Sequence, residues 1–446
     1  MPDTHDTMTL PIPPILPRPL KILLLSDTYP PTMGGAELQT QLLGRKLSQR
    51  GHQVSVATYW QLNMANHEQD TQTGGNPIDI YRVQGISAKL PGAYSNPARR
   101  VPPPLPDPGA VAGLKKLLDK IQPDVVHSYG WLTYSMAVAL VGRKTPLVVA
   151  MREYCHTCAL RTMLHEGKTP CSGPEFGKCL SCAQTFFGAA KGVVAVLGVY
   201  SGKALLKKKV RGVHSISTYM HDLTWRDLFD GSKPGQANAV VSDMLVPSFR
   251  DDVGEQKHSD PVKLKSYTDQ LPTEPFILFV GALRKVKGLE PLMQAYTQLK
   301  NAPSLVLIGL PAHDTPTEWP VGVKVLNNFP HDAVMAAWER SLLGVAPSLW
   351  PEPFGNVVHE AMSKGKPMIG TTPGGHTDMI LEGETGFLIK PGDAEALRDA
   401  MQRLIDDPAL RERLGVAARE RSKMFTSEYS VPRFEQLYYE VVDRSG

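Results

Sequence analysis

The sequence predicts an α/β chain made of two doubly wound domains. Three observations carry that expectation. A strand, glycine loop, helix and strand open the chain, the same grammar restarts near its middle, and a polar stretch without a sustained apolar run separates the two. The length of 446 residues is enough for two or three domains.

Taken in order, residues 1–19 hold repeated prolines and acidic residues and read as a disordered leader rather than a signal peptide. "KILLLS" (Lys21–Ser26) is a continuous apolar run suited to a strand buried on both faces. The loop "DTYPPTMGGAE" follows, then a helix with Leu38, Leu42, Leu43 and Leu47 on one face and Gly51 as its stop. "HQVSVAT" completes a βαβ unit, whose crossover makes its strands parallel. The N-terminal Rossmann-like domain is read as residues 20–249, with a cysteine-rich insertion at 152–186. Residues 250–274 read as the connection. "PFILFVG", the loop "ALRKVKG", a helix through Leu289, Leu292, Met293, Tyr296 and Leu299, and "SLVLIG" restart the pattern in a second Rossmann-like domain, 275–425. Phe434, Leu437, Tyr438 and Val441 share one face of a last helix in 426–446.

Composition narrows the function classes. A net charge of +4 gives no argument for nucleic acid, and nothing approaches roughly 18 consecutive apolar residues of a spanning helix. The cytoplasm is the expected location. The basic run "KALLKKKVRG" (203–212) reads as a solvated helix face, with contact to anionic lipid at the inner membrane face as the alternative.

The segment "PSLWPEPFGNVVHEAMSKGKP" holds the chemistry. Glu352 and Glu360 have seven residues between them, with Gly355 at the start of a helix. Free amides and the positive dipole end at Gly355, Asn356 and Val357 suit a diphosphate, and glycine lets the backbone come close to it. Glu360, a turn inside, can accept from ribose hydroxyls, and Glu352 from a hexose hydroxyl on the other side. That describes a nucleotide sugar, either a UDP- or a GDP-sugar. The plainer reading makes Glu352 a cap and Glu360 an exposed surface acid.

The segment Pro347–Ile389 resembles the E-x7-E region of retaining GT-B glycosyltransferases, the family-four-like group. "SDTYPPTMGGAE", "PDVVHSYGW" and "FVGALRKVKG" look like further motifs of that family, so the likeness covers almost the whole chain. The resemblance implies two Rossmann-like domains facing a cleft, with the last helix crossing back to the first domain. It implies that Glu360 holds the donor ribose, Glu352 the transferred sugar, and Lys287 the departing diphosphate. Gly34 and Gly35 then approach the diphosphate and sugar, and His127 matches a family histidine, although a histidine at a strand end is often structural. It also implies retaining transfer, in which a phosphate oxygen takes the acceptor's proton, with no cofactor for catalysis. The sequence has no D-x-D triplet to chelate a catalytic cation.

Three positions depart from the family pattern. Ala282 stands where an arginine is usual, with Arg284 two residues on as a substitute. Arg152 and Glu153 stand where the family has His-Asp, and Asp378 replaces a glutamate. Arg152 is expected to act in catalysis by pairing with an anionic group on an unusual donor or acceptor, or by replacing the missing loop arginine. Ala282 and Arg152 also keep open a GT-B-fold scaffold that binds sugar nucleotides without turnover; an epimerase on the same fold fits the E-x7-E segment less well. Lipid-linked, polysaccharide and small natural-product acceptors all remain open.

All five cysteines, Cys155, Cys158, Cys171, Cys179 and Cys182, fall in one stretch. Paired C-x-x-C elements are the spacing of a tetrahedral zinc site, so a structural zinc is the expectation, with an iron–sulfur cluster, free thiols or disulfides as alternatives. Following a strand, the segment is expected to overhang the acceptor side of the cleft as a lid.

Overall fold

The computed structural model describes residues 18–31, 35–61, 64–86, 102–236, 239–251 and 260–444. Residues 1–17 of the leader, Gly34 and part of the domain connection lie outside them.

The N-terminal sheet is built from β1 (Lys21–Ser26), β2 (Gln53–Tyr59), β3 (His67–Asp70), β4 (Ile78–Val83), β5 (Val125–Ser128), β6 (Leu147–Met151), β9 (Val210–Ser215) and β10 (Ser242–Leu245), with β7 (Leu164–His165) and β8 (Thr169–Pro170) forming a separate small hairpin. The strand order is β10-β9-β6-β5-β1-β2-β4-β3, parallel except for β3 against β4. Strand β1 is central and buried on both faces, as its unbroken Ile-Leu-Leu-Leu run requires. The helices of this half are α1 (Gly35–Gln49), α2 (Pro108–Ile121), α3 (Leu132–Ala139), α4 (Phe176–Phe187), α5 (Ala189–Lys209) and α6 (Thr218–Leu223).

A short helix, α7 (Pro261–Thr268), lies in the domain connection. The second sheet has order β13-β12-β11-β14-β15-β16 and is wholly parallel, from β11 (Phe276–Val280), β12 (Leu305–Ile308), β13 (Val323–Leu326), β14 (Ser341–Val345), β15 (Met368–Thr371) and β16 (Gly386–Ile389). Its helices are α8 (Leu289–Tyr296), α9 (His331–Arg340), α10 (Asn356–Ser363), α11 (His376–Met379), α12 (Ala394–Asp406) and α13 (Pro408–Ser422). In both sheets the order reverses beside the first strand, and such switch points open a crevice at the strands' carboxyl ends.

Helix α14 (Ser427–Asp443) packs on the N-terminal sheet. Phe434, Leu437, Tyr438 and Val441 bury into one cluster with Ile22, Leu24, Val125 and Val148. Glu435, fully buried, accepts from Arg50 Nε at 2.5 Å and lies 3.1 Å from His52 Nε2. Helix α5 is, among the described residues, long and apolar enough to cross a membrane by length and composition, which a search for an unbroken apolar run does not register. It packs instead against α4 and α3, with Ala195, Val196, Val199 and Leu206 buried, and Lys203 and Lys207 at its basic end pair with Asp230.

Several buried histidines make the fold acid-sensitive. Burial pushes His214 and His156 down to about 3. Both stay neutral when folded and take up a proton near pH 6.5 when unfolded. The unfolded state thus binds more protons below that value, so this contribution is complete above pH 6.5 and is lost as pH falls toward 3. Each such group costs up to ~1.4 kcal/mol per pH unit across that window. A Tm that drops steadily between pH 7 and pH 5 is the expected result; a flat profile in thermal melts at constant salt contradicts it.

Candidate active site

The loop after β14 leads into α10 through Gly355, whose φ of +124° lies where only glycine is unstrained. A Cβ there would also lie 2.7 Å from His376 Cδ2. No side chain caps the helix, so its first amides face the cleft uncommitted. Gly355, Asn356 and Val357 line that cleft, a cavity of about 470 Å³ between the two domains.

Glu352 sits just before the turn, buried. Its Oε1 accepts from Lys287 Nζ at 2.6 Å, Ser348 Oγ at 2.6 Å and Trp350 Nε1 at 2.7 Å. Lys287 comes from the loop after β11, and Leu349 N donating to Val286 O at 2.9 Å stitches that loop to the Glu352 segment. The ammonium also lies over the Trp350 ring, 5.3 Å from its centre. Burial alone would raise the Glu352 carboxyl; Lys287, His376 and Ser348 outweigh it and hold it below its ordinary value.

His376 completes this wall, and sequence reasoning did not single it out. Its Nδ1 accepts from Thr371 N at 3.2 Å, so Nε2 carries the proton. Burial, offset by Glu352 and reinforced by Lys287, pushes its pKa down to about 4. At neutral pH it is an uncharged N–H donor lining the cleft.

The opposite wall comes from the N-terminal domain: Gly35, Tyr129, Arg152, Glu153 and Ser248. The two walls touch. A Cβ on Gly35 would lie 3.1 Å from Asn356 Nδ2, Ser217 Oγ donates to Pro353 O at 2.6 Å, and Tyr154 Oη donates to Pro351 O. Asp378, the departure from glutamate, accepts from Thr218 N at 2.6 Å and so joins the domains.

The cleft therefore brings together Gly35, Arg152, Lys287, Glu352, Gly355, Asn356 and Val357. Other expected residues lie elsewhere. Glu360 is buried but does not line this cavity; Arg250 of the domain connection donates to its Oε1, and His331 Nε2 lies 3.2 Å from the same oxygen. Burial would raise its carboxyl, and His331 and Arg250 hold it below the ordinary value instead. Arg284 is exposed and pairs with Asp314 at 3.4 Å rather than replacing the arginine absent at Ala282. His127 does not line the main cavity: its Nδ1 lies 2.7 Å from Tyr438 Oη, it packs against His214 and Phe434 of the α14 interface, and it borders a small neighbouring cavity with Tyr129 and Arg152. Gly34 lies outside the described residues.

The expectation of a structural zinc is not met. Among the described residues no group of three or more His, Cys, Asp or Glu side chains converges to hold a metal, and the five cysteines are free. Burial, and then the nearby Cys158 and Cys171, raise the thiols of Cys179 and Cys182, yet the four do not close into a ligand set, and each has its own neighbours. Cys182 Sγ accepts from Glu166 N at 3.2 Å, Cys171 Sγ reaches Gly173 O at 3.5 Å, and Cys179 Sγ lies 3.9 Å from Tyr200 Oη. Cys155 is buried at the other end, its thiol pushed well up by burial and by Glu153. The segment does pack at the carboxyl end of β6. Arg161 lies 3.8 Å over the Trp131 ring and pairs with Asp27 at 3.3 Å and Glu153 at 3.1 Å.

Residues 34–200 match the family described as glycosyl transferase 4-like domain, and residues 265–421 match glycosyl transferases group 1. The chain belongs to the GT-B glycosyltransferases. Sucrose-phosphate synthase from Thermosynechococcus elongatus superposes on this GT-B chain with a TM-score of 0.66 at 21% identity, covering 95% of it and 100% of that protein. Anabaena HepE, solved with UDP-glucose, gives 0.60 at 18%, covering 95% and 100%. These two show the shared fold. In sequence, trehalose synthase of Pyrococcus horikoshii is 29% identical over 225 residues, 47% of this chain and 53% of that one. N-acetyl-alpha-D-glucosaminyl L-malate synthase of Bacillus anthracis is 30% identical over 200 residues, 42% and 51%. The GT-B chain spans about half the length of these curated relatives in the matched regions.

Proposed function

We propose that the chain moves a hexosyl or N-acetylhexosaminyl group from a nucleotide-diphospho-sugar to an acceptor hydroxyl, with retention of configuration and without a catalytic metal. The observation that carries this reading is Glu352, fixed by three donors through one oxygen beside the uncapped start of α10. That leaves Oε2 to accept from a hydroxyl of the transferred sugar. The diphosphate lies against the amides of Gly355–Val357, with Lys287 and the Nε2–H of His376 neutralising the charge that develops as it leaves. The acceptor attacks from the face the diphosphate is leaving, and a phosphate oxygen takes its proton. The family resemblance assigns the ribose to Glu360, which lies beyond the lined cavity with its Oε1 held by Arg250, so the nucleoside end of the donor has to extend past that cavity to meet it.

The solved complex of HepE with UDP-glucose supports a UDP-sugar as the first donor to test, alongside GDP-sugars. The relatives' names cover different acceptors, so a lipid-linked, polysaccharide or small natural-product acceptor remains to be selected by assay. The presence of Ala282 in the cleft, in place of a cation, favours a second reading in which sugar nucleotides bind without turnover. One assay separates the two: hydrolysis and transfer over a panel of UDP- and GDP-sugars, with and without EDTA. Turnover that survives EDTA is expected. Donors that bind but never turn over, with any acceptor class, overturn transfer in favour of the binding protein, and turnover abolished by EDTA overturns metal independence.

A further inference from the structure

Arg152 closes the N-terminal side of the cleft at the end of β6 and, among the described residues, makes no ion pair with a carboxylate. Its Nη2 donates to Ser248 Oγ at 3.0 Å, a neutral partner, and its Nε is enclosed without any hydrogen-bond acceptor. The Tyr129 ring lies beneath it, 6.0 Å from the guanidinium carbon. Among the described residues no carboxylate pairs with it. The adjacent Glu153 sits in an ion pair with Arg161, 3.1 Å apart and without hydrogen-bond geometry, and Glu37 accepts the hydroxyl of Thr28. Both carboxylates are near enough to favour the charged guanidinium, and although burial lowers its pKa to about 10, it is a cation at neutral pH. The side chain as a whole is half-buried and lines the cleft, so a ligand entering there meets a cation whose one hydrogen-bonded partner is a neutral hydroxyl.

The ligand's own diphosphate is provided for on the other wall by Lys287 and the start of α10. The group that meets Arg152 therefore belongs to the part of the substrate facing the N-terminal domain. We infer that Arg152 selects a sugar bearing a carboxylate, which the planar guanidinium can take through two parallel N–H bonds. This rests on the sugar-transfer reading above and specifies its substrate class as an acidic sugar, either the one transferred or the one accepting.

The test measures binding by calorimetry to the full chain, wild type, Arg152→Gln and Arg152→Lys. The donor arm pairs UDP-glucose with UDP-glucuronic acid and GDP-mannose with GDP-mannuronic acid. The acceptor arm adds free glucose or glucuronate to protein saturated with UDP or GDP. A hydrogen-bonded charge pair predicts a preference for the acidic member of about 10- to 100-fold in one arm. Arg152→Gln erases that preference and leaves affinity for UDP or GDP alone within about twofold, and Arg152→Lys retains part of the preference. Unliganded melting temperatures confirm that the variants fold. Whichever arm shows the preference identifies the acidic sugar as donor or acceptor. Equal affinity for acidic and neutral sugars in both arms overturns the inference, as does a matching loss of affinity for UDP or GDP alone, which makes Arg152 a diphosphate ligand. Wild-type protein that binds no nucleotide at all overturns the sugar-transfer reading itself, and this inference falls with it.

Discussion

Glu352→Ala lowers kcat/KM for the preferred donor by at least ~10²-fold, about 2.7 kcal/mol of transition-state stabilisation. Two losses combine in that substitution. The carboxylate that holds the transferred sugar disappears, and Lys287, which Glu352 grips at 2.6 Å, loses the contact that aims it at the diphosphate. Stability suffers as well, because Ser348 Oγ and Trp350 Nε1 lose their acceptor, but the Lys287 part of that cost is small. The Lys287 side chain is 27% exposed, so water takes over much of the ammonium's solvation when its partner is removed. Affinity for the nucleoside diphosphate alone is expected to stay near wild type, because the α10 amides and Glu360 are untouched. Glu352→Gln keeps the shape and an acceptor oxygen but not the charge, so its loss is intermediate. Initial-rate kinetics and UDP or GDP binding check both halves. An alanine variant with turnover within threefold of wild type contradicts the assigned role.

Gly355→Ala is the second large effect, and it acts through the backbone. At φ +124° an alanine pays backbone strain of order 1–3 kcal/mol, and its Cβ meets the His376 ring at 2.7 Å. Relief requires α10 to begin elsewhere or His376 to move. Either displaces the amides or the Nε2–H that face the diphosphate. The expected outcome is a loss of nucleotide affinity of at least ~10-fold together with a lower Tm, of a few degrees for a domain of this size. Wild-type affinity in this variant contradicts the placement of the diphosphate at the helix start.

These two effects rest on parts of the chain that were legible in sequence. Strands β1 and β11 are continuous apolar runs, and only a sheet covered on both faces makes use of them. Glu352, Gly355 and Lys287 lie in short loops directly after such strands, so the fold rule that ligands sit at strand carboxyl ends already brings them together. Long-range pairing was not legible. The pairing of Glu360 with Arg250 joins residues 110 positions apart, and nothing local distinguishes Arg250 from any other arginine near a domain boundary. The setting of His127 depends on Tyr438, 311 positions away, and no strand-end pattern reveals it.

His376 had a signal that was passed over. It directly follows two glycines, Gly374 and Gly375, a turn that brings the backbone near the Glu352 segment, where Gly375 N donates to Glu352 O at 2.6 Å. A histidine opening a helix from such a turn faces whatever the glycines approach. The cysteines taught the opposite lesson. C-x-x-C spacing fixes how far apart thiols lie along the chain, but convergence depends on the fold between the pairs. Here Cys158 and Cys171 come near Cys179 and Cys182 of α4 without closing into a ligand set, while Cys155 turns into the Asp27, Glu153 and Arg161 network.

The most direct test of the account is a crystal structure of the chain with a bound nucleotide sugar. The expected result places the diphosphate oxygens within hydrogen-bonding distance of the Gly355–Val357 amides and Lys287, with a hydroxyl of the transferred sugar on Glu352. Nucleotide bound outside the cleft, or a diphosphate that touches neither α10 nor Lys287, contradicts it.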